Sequence, residues 1–329
     1  MVDMQFDEKR VADLSISVVI PTYNRAHLVT RAVESVLNQT KPPTEIIVVD
    51  DGSQDDTPAR LAAFAPQVKY IHQQNQGAPV ARDTGVKAAS SPWVAFLDSD
   101  DYWERSYLQQ MARAMVATSE RAHLYFADTS VPPSYQADSF WAYRGFAIEG
   151  EYEFCEDGTD WVMMPGQPMH LIASIINRDA YFACGGFYTP LRYRDDTHLF
   201  FKLGLGGPVC AVASVQTAFT QDEDPENRLT PVMARRSVRG YVYQIMMLED
   251  LLARNLAPAV RQKLQQRLAK GHYGLARLYV RQRQWQTAVS HLWKSWQIDP
   301  KVSRQQLWHK FKRPNALNAE NILLEASNY

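Results

Sequence analysis

The stretch Trp93-Val94-Ala95-Phe96-Leu97-Asp98-Ser99-Asp100-Asp101 is an apolar run that ends in three carboxylates. Ser-Ser-Pro precedes the run and polar residues follow it, which predicts a short buried strand. In an extended chain, Asp98 and Asp100 project to the same side. Carboxylates that converge at a strand end need a counter-charge, and their hard oxygens favour Mg²⁺ or Mn²⁺. Taken alone, the stretch is more typical of a solvated acidic turn that caps the next helix, and the rest of the chain is what favours a cation site.

Three more strands are predicted upstream of this run, with helical patterns between them. The strands are Ser15–Ile20, which Pro21 is expected to stop, Glu45–Asp50 and Val68–His72. The helical patterns cover residues 28–37, a short segment up to Phe64, and about Pro79 to Ala89. This alternation predicts a doubly wound α/β fold with a mostly parallel sheet.

Polar residues follow three of the predicted strands. They are Tyr23-Asn24-Arg25, Asp50-Asp51 and the acidic triplet. Parallel strands end at one edge of a sheet, and ligands bind there near the point where strand order reverses. The first strand is followed neither by Gly-x-Gly-x-x-Gly nor by a Gly-Lys-Ser/Thr loop, which disfavours a dinucleotide-binding or P-loop protein.

Composition is that of a soluble globular protein, with 329 residues, 46% hydrophobic and 22% charged. No secretory signal and no bilayer-spanning apolar run is visible. Cys155, Cys184 and Cys210 are odd in number and widely spaced, which favours reduced thiols. We therefore expect a cytoplasmic protein.

Charge is distributed unevenly along the chain. Residues 231–329 carry 17 Lys and Arg against 5 Asp and Glu, a net of +12, whereas residues 1–230 carry 18 against 31, a net of −13. The acidic part suits an anionic ligand only with a bridging metal. The basic part allows peripheral contact with the inner face of a membrane, or forms the solvated faces of helices.

An ordered set of motifs resembles the family 2 glycosyltransferases over residues 15–230. The motifs are Pro21-Thr22-Tyr23-Asn24-Arg25, Val49-Asp50-Asp51-Gly52-Ser53, Asn75-x-Gly77, Ala81-Arg82-Asp83-x-Gly85 and Phe96-Leu97-Asp98-Ser99-Asp100-Asp101. The resemblance implies a GT-A fold, a nucleotide-sugar donor and Mg²⁺ or Mn²⁺ as cofactor.

The resemblance also implies roles for individual residues. Tyr23 would stack on the base, Asp51 would accept its N–H, Asp98 would hold the ribose, and Arg25 and Arg82 would lie near phosphate. Asp100 would bind the metal, with Asp101 beside it. Pro21, Asn24, Gly77 and Ser99 complete the implied nucleotide-binding set. Asp83 stands where many relatives have Asn.

A second acidic motif lies further along the chain. Leu171–Ile176 predicts a strand, and a short helix after it ends at Cys184-Gly185-Gly186-Phe187. Gly186 belongs to a turn that, in relatives, precedes the acidic motif containing the catalytic base. That motif is Asp195-Asp196 here, with Asp195 where the family usually has Glu. The resemblance makes Asp196 the general base, whereas the dipole of a helix start favours a carboxylate there in any case.

Residues 130–168 are irregular and rich in aromatic side chains, including Trp161. Either they form an acceptor-binding flap or they cover the sheet edge. Arg228, in the polar loop Thr220–Thr230, is a candidate for contact with the diphosphate. His170 and His198 are expected to be packed or surface side chains rather than ligands.

Beyond Pro231 the pattern is helical. His272, Leu275, Ala276, Tyr279 and Ala288 have the spacing of one tetratricopeptide-like unit, or of a plain helical hairpin. Trp308–Arg313 mixes aromatic rings with cations, as do both membrane-surface segments and solvated tails. The expected organisation is an extension at 1–14, a catalytic GT-A domain at 15–230 and a helical domain at 231–329.

These observations predict a metal-dependent inverting glycosyltransferase that does not bind nucleic acid. Its acceptor is a saccharide, a lipid-linked glycan or a protein, and a homo-oligomer is compatible with the sequence. One alternative is a non-catalytic scaffold that binds nucleotide sugars. The other is a nucleotidyltransferase, which normally has a glycine-rich loop near the first strand.

Overall fold

The computed structural model describes residues 7–131, 135–215, 217–218 and 237–305. The chain divides into two compact units. The first contains Met1–Thr189 and Asp195–Glu223, and the second contains Pro190–Arg194 and Asp224–Tyr329.

The first unit is built on a mixed sheet of eight strands in the order β3-β2-β1-β4-β8-β6-β9-β7, with a separate pair β10-β5. The strands are β1 (Ile16–Thr22), β2 (Glu45–Asp50), β3 (Val68–His72), β4 (Trp93–Phe96), β5 (Tyr102–Trp103), β6 (Leu124–Asp128), β7 (Tyr152–Cys155), β8 (Ser174–Asn177), β9 (Val209–Val215) and β10 (Thr217–Ala218).

Helices connect the strands of the first unit and make up the second. In the first unit they are α1 (Glu8–Asp13), α2 (Val29–Leu37), α3 (Thr57–Ala62), α4 (Ala78–Ala88), α5 (Tyr107–Ala117), α6 (Phe140–Arg144), α7 (Thr159–Val162), α8 (Arg178–Ala183) and α9 (Asp195–Gly204). In the second unit they are α10 (Val238–Leu252), α11 (Pro258–Arg281) and α12 (Trp285–Ile298).

The four strands predicted from the N-terminal part of the sequence are present and parallel to one another. The prediction that Pro21 stops the first strand is wrong, because β1 runs on to Thr22 and Pro21 pairs with Val49 of β2. The pairing of β1 with β4 ends at Val19, so Pro21 lies where no N–H is required on that side. The strand order reverses between β1 and β4, as in doubly wound sheets.

Both faces of β1 are buried. Ile16, Val18 and Ile20 belong to the core cluster that also contains the apolar faces of α2 and α5. Val19 points to the opposite face, where α4 packs so closely that a Cβ on Gly85 would lie 2.3 Å from Val19 Cγ1. The helices on the two faces therefore hold the first strand in place, and its C-terminal end is fixed with it.

The other half of the sheet departs from the parallel pattern. β8 is antiparallel to both β4 and β6, and β7 is antiparallel to β9, whereas β6 and β9 are parallel. The strand predicted at Leu171–Ile176 is partly wrong. Leu171–Ala173 forms a 3₁₀ turn, and the strand begins at Ser174. The apolar run is continuous, so burial alone does not distinguish the turn from the strand.

In the described part of the second unit, the helices α10, α11 and α12 pack in sequence. A Cβ on Gly274 would lie 2.4 Å from the Tyr241 ring, so α10 and α11 approach closely. Between α11 and α12, Ser295 Oγ donates a hydrogen bond to the Ala269 carbonyl at 2.9 Å. Both predictions for this region, a tetratricopeptide-like unit and a plain helical hairpin, include a hairpin such as the one that α11 and α12 form. Among the described helices, none combines the length and apolarity needed to cross a bilayer.

Two histidines meet inside the α11–α12 hairpin. The Nδ1 atoms of His272 and His291 are 3.0 Å apart, and Tyr279 stacks on His291. Burial lowers the pKa of His272 to about 4, and the charges of His291 and Lys294 act in the same direction. Burial also lowers the pKa of His291. Both rings are therefore neutral in the folded unit at neutral pH.

We expect acid to destabilise this hairpin. The unfolded chain gains a proton on His272 near pH 6.5, whereas the folded unit resists it until about pH 4, so stability is intact above pH 6.5 and falls between these values. Hydrogen exchange of α11 amides in wild type and His272→Phe should show protection lost on acidification mainly in wild type. Equal losses in both proteins would contradict this explanation.

Candidate active site

The ends of β1, β2 and β4 meet, as predicted, at one edge of the sheet, here called the carboxyl edge. The Asn24 N–H donates to Ser53 Oγ at 2.9 Å, which joins the segments after β1 and β2. Arg25 Nη1 lies 3.2 Å from Asp100 Oδ2, which joins the segments after β1 and β4. The three polar segments thus form one site.

The acidic residues after β4 converge by a different route from the one predicted. β4 ends at Phe96, and residues 98–101 form a turn in which the Asp101 N–H donates to the Asp98 carbonyl at 3.0 Å. The expectation that Asp98 and Asp100 share a side of an extended strand is therefore wrong. The turn brings one carboxylate oxygen each from Asp98, Asp100 and Asp101 within 4.8 Å of one another.

This acidic turn fits a hard divalent cation. Its donors are all carboxylate oxygens, the ligand type that Mg²⁺ and Mn²⁺ prefer. Asp101 is 6% exposed, and Ser99 in the same turn is 7% exposed, so the turn is packed against the rest of the domain. Arg25 and Arg31 add positive charge, since Arg31 Nη2 donates to the Asp100 carbonyl at 3.1 Å.

Arg82 connects the acidic turn to the second acidic motif. Its Nη2 lies 2.7 Å from Asp98 Oδ1, and its Nη1 lies 2.8 Å from Asp195 Oδ2. The Arg82 side chain is 10% exposed and that of Asp195 is 11% exposed, so this ion pair is buried. The resemblance placed Arg82 near phosphate. In this structure its guanidinium is engaged by two carboxylates, and Arg25 is an arginine that pairs with the Asp100 carboxylate.

Asp195 and Asp196 open α9, as the sequence predicted. Burial raises the pKa of Asp195 to about 6, with Asp196 and Asp98 acting in the same direction and Arg82 opposing them. Asp196 is half-buried and accepts a hydrogen bond from the Thr197 N–H at 2.6 Å. Its charge acts on both Arg82 and His170. Asp196 therefore shares the electrostatic environment of the acidic turn.

Asp51 is buried and holds the segment between β3 and α4. Its Oδ1 accepts from Gln73 Nε2 at 2.7 Å and from the Gln76 N–H at 2.9 Å, while its Oδ2 accepts from the Gly77 N–H at 2.6 Å. Gly77 is the N-cap of α4. Sequence analysis gave Asp51 a ligand-binding role and missed this structural one, because side-chain contacts to a loop have no local sequence pattern.

Tyr23 and Asn24 follow Pro21 at the end of β1 and differ in their surroundings. Tyr23 is 43% exposed, so its ring is accessible to a planar ligand. Asn24 has a left-handed φ of 50°, and its Oδ1 accepts from the Gln54 N–H at 2.8 Å. Asn24 thus fixes the loop, whereas Tyr23 presents a free face.

The turn at Gly185-Gly186-Phe187 is held by Tyr181. The Tyr181 hydroxyl donates to Asp83 Oδ1 at 2.7 Å and accepts from the Phe187 N–H at 3.1 Å. Gly186 has a φ of 55°, and a Cβ there would lie 2.8 Å from the Tyr181 hydroxyl. Asp83 therefore accepts a hydrogen bond that supports this turn.

The aromatic residues between β6 and β8 mainly cover the sheet. Phe126 of β6 contacts Trp141, Phe146 and Trp161, with ring centroids 5.7–5.9 Å apart. Trp161 is therefore a packing residue in this structure. Tyr143, at 43% exposure, remains accessible.

His170 is packed in this structure, in agreement with the sequence prediction, and the charges of the acidic residues act on it. Its ring stacks on Phe140 at 4.5 Å, and burial lowers its pKa to about 4, with Asp196 and Asp98 opposing. It reaches the carboxyl edge because β8 is antiparallel to β4, a reversal that the sequence does not signal. Arg228 and Trp308–Arg313 lie outside the described residues.

Residues 17–148 match the family model "Glycosyl transferase family 2". These residues form a family 2 glycosyltransferase domain. An uncharacterized glycosyltransferase of Rickettsia bellii is 38% identical over 121 residues, which are 36% of this chain and 17% of that protein. The Escherichia coli protein UDP-Glc:alpha-D-GlcNAc-diphosphoundecaprenol beta-1,3-glucosyltransferase WfgD is 36% identical over 106 residues, 32% of this chain and 42% of that protein. The chain thus matches less than half the length of these relatives.

Solved structures share the GT-A fold of this domain. Residues 1–349 of Staphylococcus aureus TarS, solved with UDP-GlcNAc, align with a TM-score of 0.62 at 18% identity, covering 88% of this chain and 83% of that one. The Pyrobaculum calidifontis mannosyltransferase PcManGT, solved with GDP-Man and Mn²⁺, aligns with a TM-score of 0.54 at 17% identity, covering 91% and 81%. The mostly parallel sheet and helical C-terminal part predicted from the sequence are confirmed.

We expect Arg82→Met to destabilise the protein by about 3 kcal/mol at pH 8, because it leaves Asp195 buried without its cation. The loss of unfolding free energy should be smaller near pH 5, because Asp195 takes up a proton there and is no longer a buried charge. Urea unfolding at both pH values measures this. Lys87→Met is the matched control on α4, since Lys87 pairs with Asp83 but is 65% exposed, and it should cost under about 1 kcal/mol. Equal costs for the two variants would contradict the buried-bridge assignment.

Proposed function

We propose that this protein is an inverting glycosyltransferase that acts in the cytoplasm. It transfers a sugar from a nucleotide-sugar donor, with a UDP-sugar as the first candidate, to a hydroxyl group of a saccharide, a lipid-linked glycan or a protein. The observation that carries the proposal is the buried bridge through Arg82, which ties Asp195, next to Asp196, to the acidic turn. Such a bridge would hold a proton acceptor and a diphosphate-binding edge together.

The known donors of similar proteins support a nucleotide sugar. TarS has been solved with UDP-GlcNAc, WfgD is named for UDP-Glc, and PcManGT has been solved with GDP-Man. Two of these three donors carry uracil. In this chain, the exposed ring of Tyr23 is suited to stack on a base. Asp51 is buried, and its carboxylate is suited to accept a hydrogen bond from an N–H group of the base.

The proposed reaction is a direct displacement at the anomeric carbon. Asp196 accepts the proton of the acceptor hydroxyl as the acceptor oxygen forms its bond to that carbon. The bond from the same carbon to the nucleoside diphosphate breaks on the opposite face, so the configuration inverts and the diphosphate departs with the bonding electron pair. Asp196 is suited to this role because it is half-buried, adjacent to Asp195 of the Arg82 bridge, and not itself paired with Arg82 in the described contacts.

The acidic turn would hold Mg²⁺ or Mn²⁺, with Asp100 as the principal ligand and Asp98 and Asp101 beside it. The ion would supply positive charge that stabilises the departing diphosphate. Arg25 lies 3.2 Å from Asp100 and contributes a guanidinium suited to phosphate oxygens at the same edge. Manganese in the PcManGT structure supports this choice of ion.

Asp196→Asn should lower turnover by about 100-fold or more, because the amide cannot accept the acceptor proton. The donor dissociation constant should change little, since Asp196 acts on the acceptor. Steady-state transfer assays and UDP titration measure the two effects. Asp179→Asn is the matched control, because Asp179 lies in the first turn of α8 and is exposed. Near-normal transfer by Asp196→Asn would show that another group is the base.

Asp100→Asn should abolish the metal dependence of nucleotide binding. In wild type, calorimetry should show UDP binding at least about tenfold tighter with Mn²⁺ than with a chelator, because the ion bridges carboxylates and diphosphate. The variant should show equal affinities. The exposed Asp160 on α7 provides the control Asp160→Asn. A preserved Mn²⁺ effect in Asp100→Asn would contradict the assignment.

The two alternative functions give different results in the same assays. A scaffold would bind UDP-sugars without transferring or hydrolysing them. A nucleotidyltransferase would release pyrophosphate from a nucleoside triphosphate. The glycosyltransferase proposal requires transfer and no such release.

A further inference from the structure

α12 carries an exposed apolar stripe, defined as Trp285, Val289 and Trp293. Their spacing of four residues places them on one face of the helix. They are 61%, 63% and 60% exposed, respectively, in a helix whose other face packs on α11 through Ala288 and Ser295. Two tryptophans this exposed on one helix face are typical of an interaction surface rather than of scattered surface residues.

The surroundings of the apolar stripe are positively charged throughout. Residues 258–298, which span α11 and α12, contain eight Lys and Arg and no Asp or Glu. Arg281 and Arg283 are exposed just before Trp285, and Lys294 is exposed next to Trp293. The cations therefore lie at both ends of the stripe, and the complementary partner is negatively charged and apolar together.

We propose that the apolar stripe and these cations form a membrane-docking surface that binds bilayers rich in anionic lipid. Tryptophan side chains favour the boundary between headgroups and acyl chains, and Lys and Arg favour anionic headgroups. With 14 residues, α12 lies in the plane of the interface rather than across it. A second copy is a poor partner, because a two-fold contact would bring Arg281, Arg283 and Lys294 against the same cations.

The test is flotation of the full chain with two kinds of vesicle, phosphatidylcholine alone and phosphatidylcholine mixed with phosphatidylglycerol in equal parts. Wild type should float with the mixed vesicles only, and less at high salt. The double variant Trp285→Gln/Trp293→Gln should lower the bound fraction about tenfold. Phe182→Gln, which removes a 41% exposed ring from α8, should bind as wild type.

Circular dichroism and retained UDP binding show whether the double variant is folded. A second variant, Arg281→Gln/Arg283→Gln, keeps both tryptophans and should also lose binding to the anionic vesicles. The proposal is overturned if wild type ignores the mixed vesicles, or if both variants bind like wild type, in which case a segment such as Trp308–Arg313 is the anchor. It is overturned equally if centrifugation shows self-association that the tryptophan variant abolishes.

Discussion

The buried guanidinium of Arg82 joins two separate parts of the first unit, the acidic turn after β4 and the start of α9. Arg82 extends from α4, which packs on β1, and bonds both Asp98 after β4 and Asp195 at the start of α9. Removing a charged group of this kind from water is costly, and only paired carboxylates offset the cost. The position of α9, and of Asp196 with it, is thus coupled to the position of the acidic turn.

Asp51 has a comparable effect on the neighbouring strand. Its three hydrogen bonds, two of them from backbone N–H groups, connect the end of β2 to the start of α4. Since Arg82 lies between one and two turns further along α4, the geometry of the loop between β3 and α4 and that of the ion pair depend on the same helix. A substitution at Asp51 is therefore expected to affect the structure as well as ligand binding.

The parallel half of the fold could be predicted from the sequence because three of its strands, β1, β2 and β4, are short apolar runs followed by polar residues, and helical patterns separate all four strands. The strand reversal at β8 could not, since antiparallel and parallel neighbours bury the same apolar side chains. The same distinction applies to the site. Asp196 and the acidic turn follow from motifs, whereas the Arg82 bridge and the Tyr181 contact with Asp83 join residues 113 and 98 positions apart. The carboxylates of residues 98–101 converge through a turn, which residue alternation in a strand does not describe.

The antiparallel placement of β8 has a topological consequence. Phe126 of β6 pairs with Ser174 of β8, so the long chain segment between these two residues, here called the excursion, begins and ends at adjacent positions of the sheet. An excursion with neighbouring ends can change in length at little entropic cost. Much of it is short helix and loop, and its sheet strand, β7, is at the margin of the sheet. A change in the length of this excursion would therefore leave the pairings of β1, β2, β3 and β4 as they are, provided that the rings that cover Phe126 are kept.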